Sequence, residues 1–339
     1  MMDLTTDLDT KANQAELLGV AKKAKGSMFV VTCISNVARY NRRPALYHRF
    51  KDMCYHAGVN LITVEIALSN RDFEVTSRNN PMHLQLRTQC EFFHKEAGLN
   101  LGIQYGRMIF PHATEVAWID ADCFPARPPS EWFLETWHQL QVYHFVQMWE
   151  FLQPLDSYNN PLCTPNPSFM GNYVKYGTPY PKKQNGYPAS WGSPGLAWAA
   201  NLSSLDDIGG IPDVAILGAG DWYLAHMLTS GLELKGMEQY TDGYRNYWLR
   251  KQALCERYVK RDVGYVPGLV LHEFHGHTKS RGYDWRERIL IGNQYNPETD
   301  LKRGVNGLYK LETHEPRQIK MYDEIRAYFR QRNEDQLSG

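Results

Sequence analysis

The chain has 339 residues, 43% hydrophobic and 22% charged, the balance of a globular protein that buries a core and length enough for one large α/β domain or two smaller ones. Lys plus Arg and Asp plus Glu are each 37, so the formal charge is zero and no bulk field draws the chain to nucleic acid or an acidic membrane, which leaves only local patches. Six dispersed cysteines without a C-x-x-C pair, and no apolar run long enough to span a bilayer, argue against a disulfide framework, a zinc ribbon and a membrane span, and for a soluble, cytoplasmic protein with reduced thiols.

The first 20 residues lack the apolar core of a signal peptide. "SMFVVTCIS" (27–35) is a β-branched apolar run that predicts a first strand, followed by a helix over 44–56. "VNLITVEIAL" (59–68) predicts a second strand, 83–106 a helix, and "TEVAWID" (114–120) a third strand. Strands alternating with helices at this spacing predict a parallel, doubly wound sheet covered on both faces. In such sheets ligands bind at the carboxyl ends of the strands. The stretch 150–195 is dense in Pro, Gly, Asn and Tyr and reads as a long functional loop. Helix and turn signals follow over 196–230, then a polar helix near 247–262, another strand over 265–276, and a charged, partly helical C-terminal segment that wraps the surface. The 9 Trp, 21 Tyr and 13 Phe supply either a large aromatic core or flat stacking platforms for sugars or bases.

"EVAWIDADCF" (115–124) sends an apolar strand straight into Asp120 and Asp122. Two like charges so close repel unless a metal ion, a basic side chain or water lies between them. Carboxylates are hard oxygen ligands suited to Mg²⁺ or Mn²⁺, which in turn bridge phosphate oxygens; a solvated acidic turn is the plainer alternative. "HEFHGH" holds His272, His275 and His277. Its i, i+3 spacing misses the H-E-x-x-H of a zinc peptidase, yet three clustered imidazoles still suit a metal as well as they suit exposed or internally paired histidines. In "LGAGDWYLAHML" (217–228), Asp221 follows a glycine turn and opens a helix, as an N-cap, a general base, or both. "WGSPGLAWAAN" (191–201) joins a small-residue turn containing Gly195, open to close backbone approach, with Trp191 and Trp198. "RYNRRP" (39–44), Lys182 and Lys183 could meet nucleic acid or simply face solvent.

Together these segments resemble the GT-A glycosyltransferases, nearest to members carried by bacteriophages and bacteria. "HKEAGLN", "AWIDADCF", "VGYVPGLVLHEFHG", "TKSRGYDWRERIL" and "NQYNPETDL" have counterparts there, and the likeness runs over about 27–310. It implies a GT-A (Rossmann-like), mostly parallel sheet flanked by helices, with an aromatic-rich loop insertion. It also implies one domain over 1–310, its nucleotide-sugar half about 27–125 and its acceptor half about 126–276, with a helical extension over 277–339. The implied activity is metal-dependent, inverting transfer of a sugar from a nucleotide-diphosphate sugar, UDP-hexose being the commonest. The acceptor would be a hydroxyl on a glycan or on a hydroxymethylated base of phage DNA.

Mn²⁺ or Mg²⁺ is the implied cofactor, with Asp122 and His275 as ligands. His272 joins them because His272-x-x-His275 has the spacing of the Met-x-x-His pair in the β-1,4-galactosyltransferase branch. Asp120 would contact the ribose, the sugar or the metal shell, and Asp221 would be the base. Glu65, Lys95, Asn100, Trp191 and Gly195 would lie near the nucleotide sugar, and Arg281 and Arg286 would hold the diphosphate. Gly220 departs from the family, whose base motif is Glu-Asp. That departure keeps open a non-catalytic nucleotide-sugar- or carbohydrate-binding protein of the same fold. A nucleotidyltransferase is disfavoured, since "CISNVARYNRRP" carries no Gly-rich phosphate loop after the first strand.

Overall fold

The computed structural model describes residues 26–181, 191–232, 237–283 and 285–337; Lys182 and Lys183 lie outside them. In chain order these form β1 (Met28–Ser35), α1 (Arg42–Ala57), β2 (Asn60–Leu68), β3 (His83–Thr88), α2 (Lys95–Ile109), β4 (Glu115–Ile119), β5 (Cys123–Pro125) and α3 (Pro129–Leu140). Then come β6 (Phe145–Gln147), β7 (Phe151–Pro154), β8 (Asn166–Pro167), α4 (Phe169–Tyr176), β9 (Ala197–Asn201), α5 (Leu202–Asp207), α6 (Gly220–Leu228) and α7 (Asp242–Leu254). The chain finishes with β10 (Val263–Tyr265), β11 (Leu269–His272), α8 (Glu287–Gly292), α9 (Pro297–Asp300), the hairpin β12 (Leu301–Arg303) and β13 (Tyr309–Leu311), and α10 (Pro316–Arg330).

A seven-stranded sheet in the order β10–β6–β9–β4–β1–β2–β3 forms the centre. β1 pairs in parallel with β2 and β4, and β2 with β3, but β9 runs antiparallel to both β4 and β6. The sheet is therefore mixed. Along β1, Phe29 and Val31 feed one buried cluster while Met28 and Val30 feed the other, so both faces are covered and the strand reads as a continuous apolar run. α2 lies unusually close to β1. Cβ atoms at Gly98, Gly102 and Gly106 would come within 2.5 Å of Cys33, 2.6 Å of Val31 and 2.3 Å of Phe29, respectively. Each helical glycine costs about 0.5–1 kcal/mol against alanine, so the stripe serves the close approach. It brings the first turn of α2, with Lys95 and Glu96, to the carboxyl end of the sheet.

A second sheet, β5–β11–β7–β8, sits beside that end. β11 is antiparallel to β5 with His272 opposite Cys123, and Glu273 N–H donates to the Asp122 carbonyl at 2.9 Å. This register carries the histidine segment to the two aspartates.

Besides β9, an antiparallel strand that falls where helix and turn signals are expected over 196–230, four expectations need correction. The helix over 83–106 splits into β3 and α2, because Leu84 and Leu86 alternate with His83, Gln85 and Arg87 at the period of a strand, and β2 offers an edge to pair with. The strand over 265–276 likewise divides at Gly268, whose φ of 123° turns the chain from the first sheet into the second. The 150–195 stretch holds β7, β8 and α4 in its described part, with the Ser168 hydroxyl capping α4 by accepting from Gly171 N–H at 2.8 Å. "TEVAWID" contributes the fourth strand rather than the third, since β3 precedes it.

The C-terminal tail returns to the start of α1. Asn41 does not cap that helix with its own side chain; instead Asp335 accepts from the backbone N–H groups of Asn41 and Arg42 at 2.9 and 3.0 Å. A carboxylate there satisfies free donors and complements the helix dipole. Among the described residues no helix is long and apolar enough to cross a membrane.

Candidate metal and acid–base site

A cavity of about 160 Å³ opens at the carboxyl ends of β1 and β4. Its walls come from the end of β1, the entry to α2, the Asp120–Asp122 turn, His275, and Phe329, Arg332 and Glu334 near the C-terminus. The turn itself is pinned by Asp120 N–H to the Leu196 carbonyl at 2.8 Å and Cys123 N–H to the Asp120 carbonyl at 3.1 Å. Its two carboxylates meet different neighbours.

Asp122 faces histidines. One of its oxygens, Oδ2, lies 2.7 Å from His275 Nε2 and 3.7 Å from His272 Nε2, and the two Nε2 atoms are 3.1 Å apart. An Arg281 guanidinium nitrogen also stands 2.7 Å from His275 Nε2. Proton bookkeeping fails here. If His275 Nε2 carries a proton it can donate to Asp122 but cannot accept from Arg281; without one it accepts from Arg281 and turns a lone pair on the carboxylate. Asp122 Oδ1, meanwhile, is buried without a hydrogen-bond partner. A cation bound by the carboxylate and both imidazoles would take up the lone pairs that these three side chains turn toward one another, with Arg281 then needing another acceptor, and the three ligand atoms lie within 4.8 Å of one another. Burial works to raise the Asp122 pKa, but His275 and His272 outweigh it and hold it well below the usual carboxylate range. Burial lowers that of His272. Both groups thus favour their ligating forms near neutrality. The residues present fit a divalent ion.

Asp120 has its own cation. Lys95 Nζ sits 2.5 and 2.8 Å from its two oxygens, the pair being only partly exposed. Burial raises the Asp120 pKa against the lowering effect of Lys95.

Asp221 stands in the first turn of α6, where Ala219, at φ 72°, turns the chain into the helix. Its Oδ1 accepts from Trp222 N–H at 2.8 Å, and a Cβ at Gly195 would lie 2.7 Å from its Oδ2, so the small residue makes room for the carboxylate. The charge of Asp221 reaches the Lys95–Asp120 pair and raises the pKa of both partners. Gly220 proves to be filled from elsewhere: a Cβ there would meet the Glu96 carboxyl at 2.6 Å.

The C-terminal wall was not foreseen. Glu334, 1% exposed, pairs with Arg43 through two contacts of 2.6 and 2.7 Å and with Arg332 at 3.1 Å, and lies 3.9 Å from His275 Nδ1. Burial opposes its ionisation, yet Arg43, His275 and Arg332 hold its pKa well below the ordinary value. Arg43 also donates to the Ser35 carbonyl at 2.6 Å, and Arg42 to the Phe274 carbonyl at 3.1 Å. The arginine pair of "RYNRRP" is thus held in contacts within the chain. Its adjacency is visible in the sequence; its distant acid is not.

Other candidates lie outside the cavity lining. Glu65 accepts from the backbone N–H groups of Glu74, Val75 and Thr76 at 2.5, 3.1 and 2.8 Å and from the Thr76 hydroxyl at 2.6 Å, which holds that loop over β2. Asn100 exchanges two hydrogen bonds with the Ile211 backbone at 2.7 and 2.9 Å. Arg286 lies over the Tyr283 ring at 4.9 Å and packs beside Gly218. Trp191, 77% exposed, rests on Tyr180, whose hydroxyl is 2.7 Å from His226 Nε2 on α6. It therefore stands on the Asp221 side. His277 packs edge-on to Phe274 and stays out of the metal group.

No family model matches the chain, and no curated protein does. Among solved structures, a glycosyltransferase involved in the glycosylation of the major capsid of PBCV-1 is similar over 89% of this chain and 99% of that chain, at 9% identity and a TM-score of 0.27. A likeness at that level fixes neither fold family nor activity.

Proposed function

We propose that this protein is a metal-dependent, inverting glycosyltransferase of the GT-A class that moves a hexose from a nucleoside-diphosphate sugar to an acceptor hydroxyl. One observation carries the reading: a carboxylate with a buried, unpartnered oxygen converges with two imidazoles beside a cavity at the carboxyl ends of a largely parallel sheet, and the charge of a separate acid, Asp221, reaches the adjoining Lys95–Asp120 pair. Asp122, His272 and His275 hold the ion, and their two imidazole nitrogens favour Mn²⁺ over Mg²⁺. When bound, the ion neutralises the charge that develops on the leaving diphosphate. Lys95 keeps Asp120 charged and oriented for a sugar or ribose hydroxyl, and Arg281 supplies a fixed positive charge at the diphosphate end. Asp221 accepts the proton of the attacking hydroxyl, an assistance worth ~10²–10⁴-fold. The acceptor oxygen bonds to the anomeric carbon as the sugar–phosphate bond breaks, and the electron pair leaves with the diphosphate. Attack from the side opposite the leaving group inverts the centre.

In this reading 27–125 binds the nucleotide sugar, 126–276 meets the acceptor, and the 277–339 extension completes the cavity with Arg332 and Glu334. The acceptor hydroxyl belongs to a glycan or a hydroxymethylated DNA base, and the exposed Trp191 face suits either ring. The deciding experiment offers a panel of nucleotide sugars, UDP-hexoses first, with Mn²⁺ and reads nucleotide release with and without EDTA. Release from one donor that EDTA and Asp122→Ala both abolish is expected. Binding of a donor without any release would turn the reading to a carbohydrate-binding protein.

A further inference from the structure

Glu96 is the least explained charged group near the cavity. It sits in the first turn of α2, 5% exposed, and no other residue hydrogen-bonds its carboxyl among the described residues. Its side chain runs to the start of α6, where a Cβ on Gly220 would lie 2.6 Å from Glu96 Oε1, 2.7 Å from Cδ and 2.8 Å from Cγ. Gly220 opens the helix without a left-handed φ, so what the position demands is space and not a special backbone. One helix has given up a side chain beside Asp221, and another has put a carboxyl there. Burying a carboxyl whose one hydrogen bond is to its own backbone N–H costs stability, and a merely structural contact would be met better by an apolar side chain of that size.

We propose that Glu96 is an acceptor-binding residue: delivered from α2 into the gap at Gly220, its carboxyl hydrogen-bonds the hydroxyl-bearing acceptor alongside Asp221. The inference rests on the reading of Asp221 as base. The groups facing Glu96 are Lys95 on its own helix, Asp221 on α6, Asp120 after β4 and Cys33 on β1. Burial, with Asp221 and Asp120 adding to it and Lys95 opposing, pushes its pKa up to about 8. At neutral pH the group is a neutral acid with one O–H to donate and a carbonyl oxygen to accept, while Asp221 takes the proton of the attacking hydroxyl.

The test moves the carboxyl from one helix to the other. Metal-dependent nucleotide release from the donor found in the screen is measured with a panel of methyl glycosides as acceptor probes. Glu96→Ala and Glu96→Met are each expected to lower acceptor-stimulated release roughly tenfold, the loss of about one hydrogen bond, and chiefly through the acceptor KM. Gly220→Glu alone collides with Glu96 and loses activity, whereas Glu96→Ala combined with Gly220→Glu recovers it. Full activity in Glu96→Met, or a double variant no better than Glu96→Ala, overturns the proposal. A second measurement needs no donor. In protein labelled with ¹³C at the glutamate carboxyls, one resonance, absent in Glu96→Gln, is expected to stay that of a protonated acid at pH 7, titrate near pH 8 and move to lower pH in Asp221→Asn. A Glu96 carboxyl already ionised at pH 6 overturns the proposal too. If no donor is turned over by the wild type, the transferase reading fails and takes the acceptor role with it, whatever the resonance shows.

Discussion

Asp120 and Asp122 belong to one motif, stand one residue apart at the end of one strand, and have opposite fates. Asp120 is neutralised from within by Lys95, which the glycine-lined helix α2 delivers to it. Asp122 is met by two imidazoles, one of which also faces Arg281, and one of its oxygens has no partner at all. The first corner is complete without a ligand and the second is not. The difference comes from what two other elements bring to each carboxylate, not from the motif.

The sharpest way to break this comparison is Asp122→Ala. Removing the carboxylate of the open corner should cost metal-dependent turnover on the order of 10³-fold or more and abolish tight Mn²⁺ binding in an electron paramagnetic resonance titration. Retained Mn²⁺ affinity would mean that the two imidazoles suffice.

Next in size is the support behind His275. Glu334→Gln leaves Arg43 and Arg332 without their buried counter-charge and should destabilise the fold by about 3 kcal/mol near neutral pH, read by urea melts. The pH dependence has a definite sign. The Glu334 pKa lies lower in the folded than in the unfolded chain, so its stabilisation is present above about 4.5 and is lost as the pH falls through the lower folded value. The gap between wild type and Glu334→Gln should therefore narrow in acid.

At the closed corner, Lys95→Ala strands the Asp120 charge. Side-chain exposures of 21% and 29% temper the effect, and a loss of about 2 kcal/mol is expected, with Lys95→Met plus Asp120→Asn recovering most of it. The smallest effect tests residues outside both corners. Asn100→Ala should cost about 1 kcal/mol through its two lost bonds to Ile211 and leave Mn²⁺ affinity unchanged.

Much of the sheet was legible in the sequence, for a local reason. Strands β1, β2 and β4 are buried on both faces, so each writes its burial into a run of consecutive apolar residues. The edge strand β3 has the weaker alternating signature and was absorbed into a helix. The antiparallel β9 looks no different in composition from a parallel strand; its direction depends on the connection that returns it between β4 and β6. In the site, the aspartates declared themselves as one short cluster after a strand and the histidines as another in the C-terminal half, each within ten residues of chain. Glu334, which lies 291 residues from Arg43, left no local pattern to find.

By itself the sequence determined the residue types at the cavity, the strand that ends in Asp120 and Asp122, and the gap at Gly220, since each is a matter of neighbours along the chain. Only the tertiary structure decided which carboxylate receives Lys95 and which receives His272 and His275, that Glu96 fills the space at Gly220, and that the C-terminal tail walls the site. Those outcomes turn on helix approach and strand register, where a glycine stripe or a shift of one residue redirects a side chain by several ångströms and changes which charges meet.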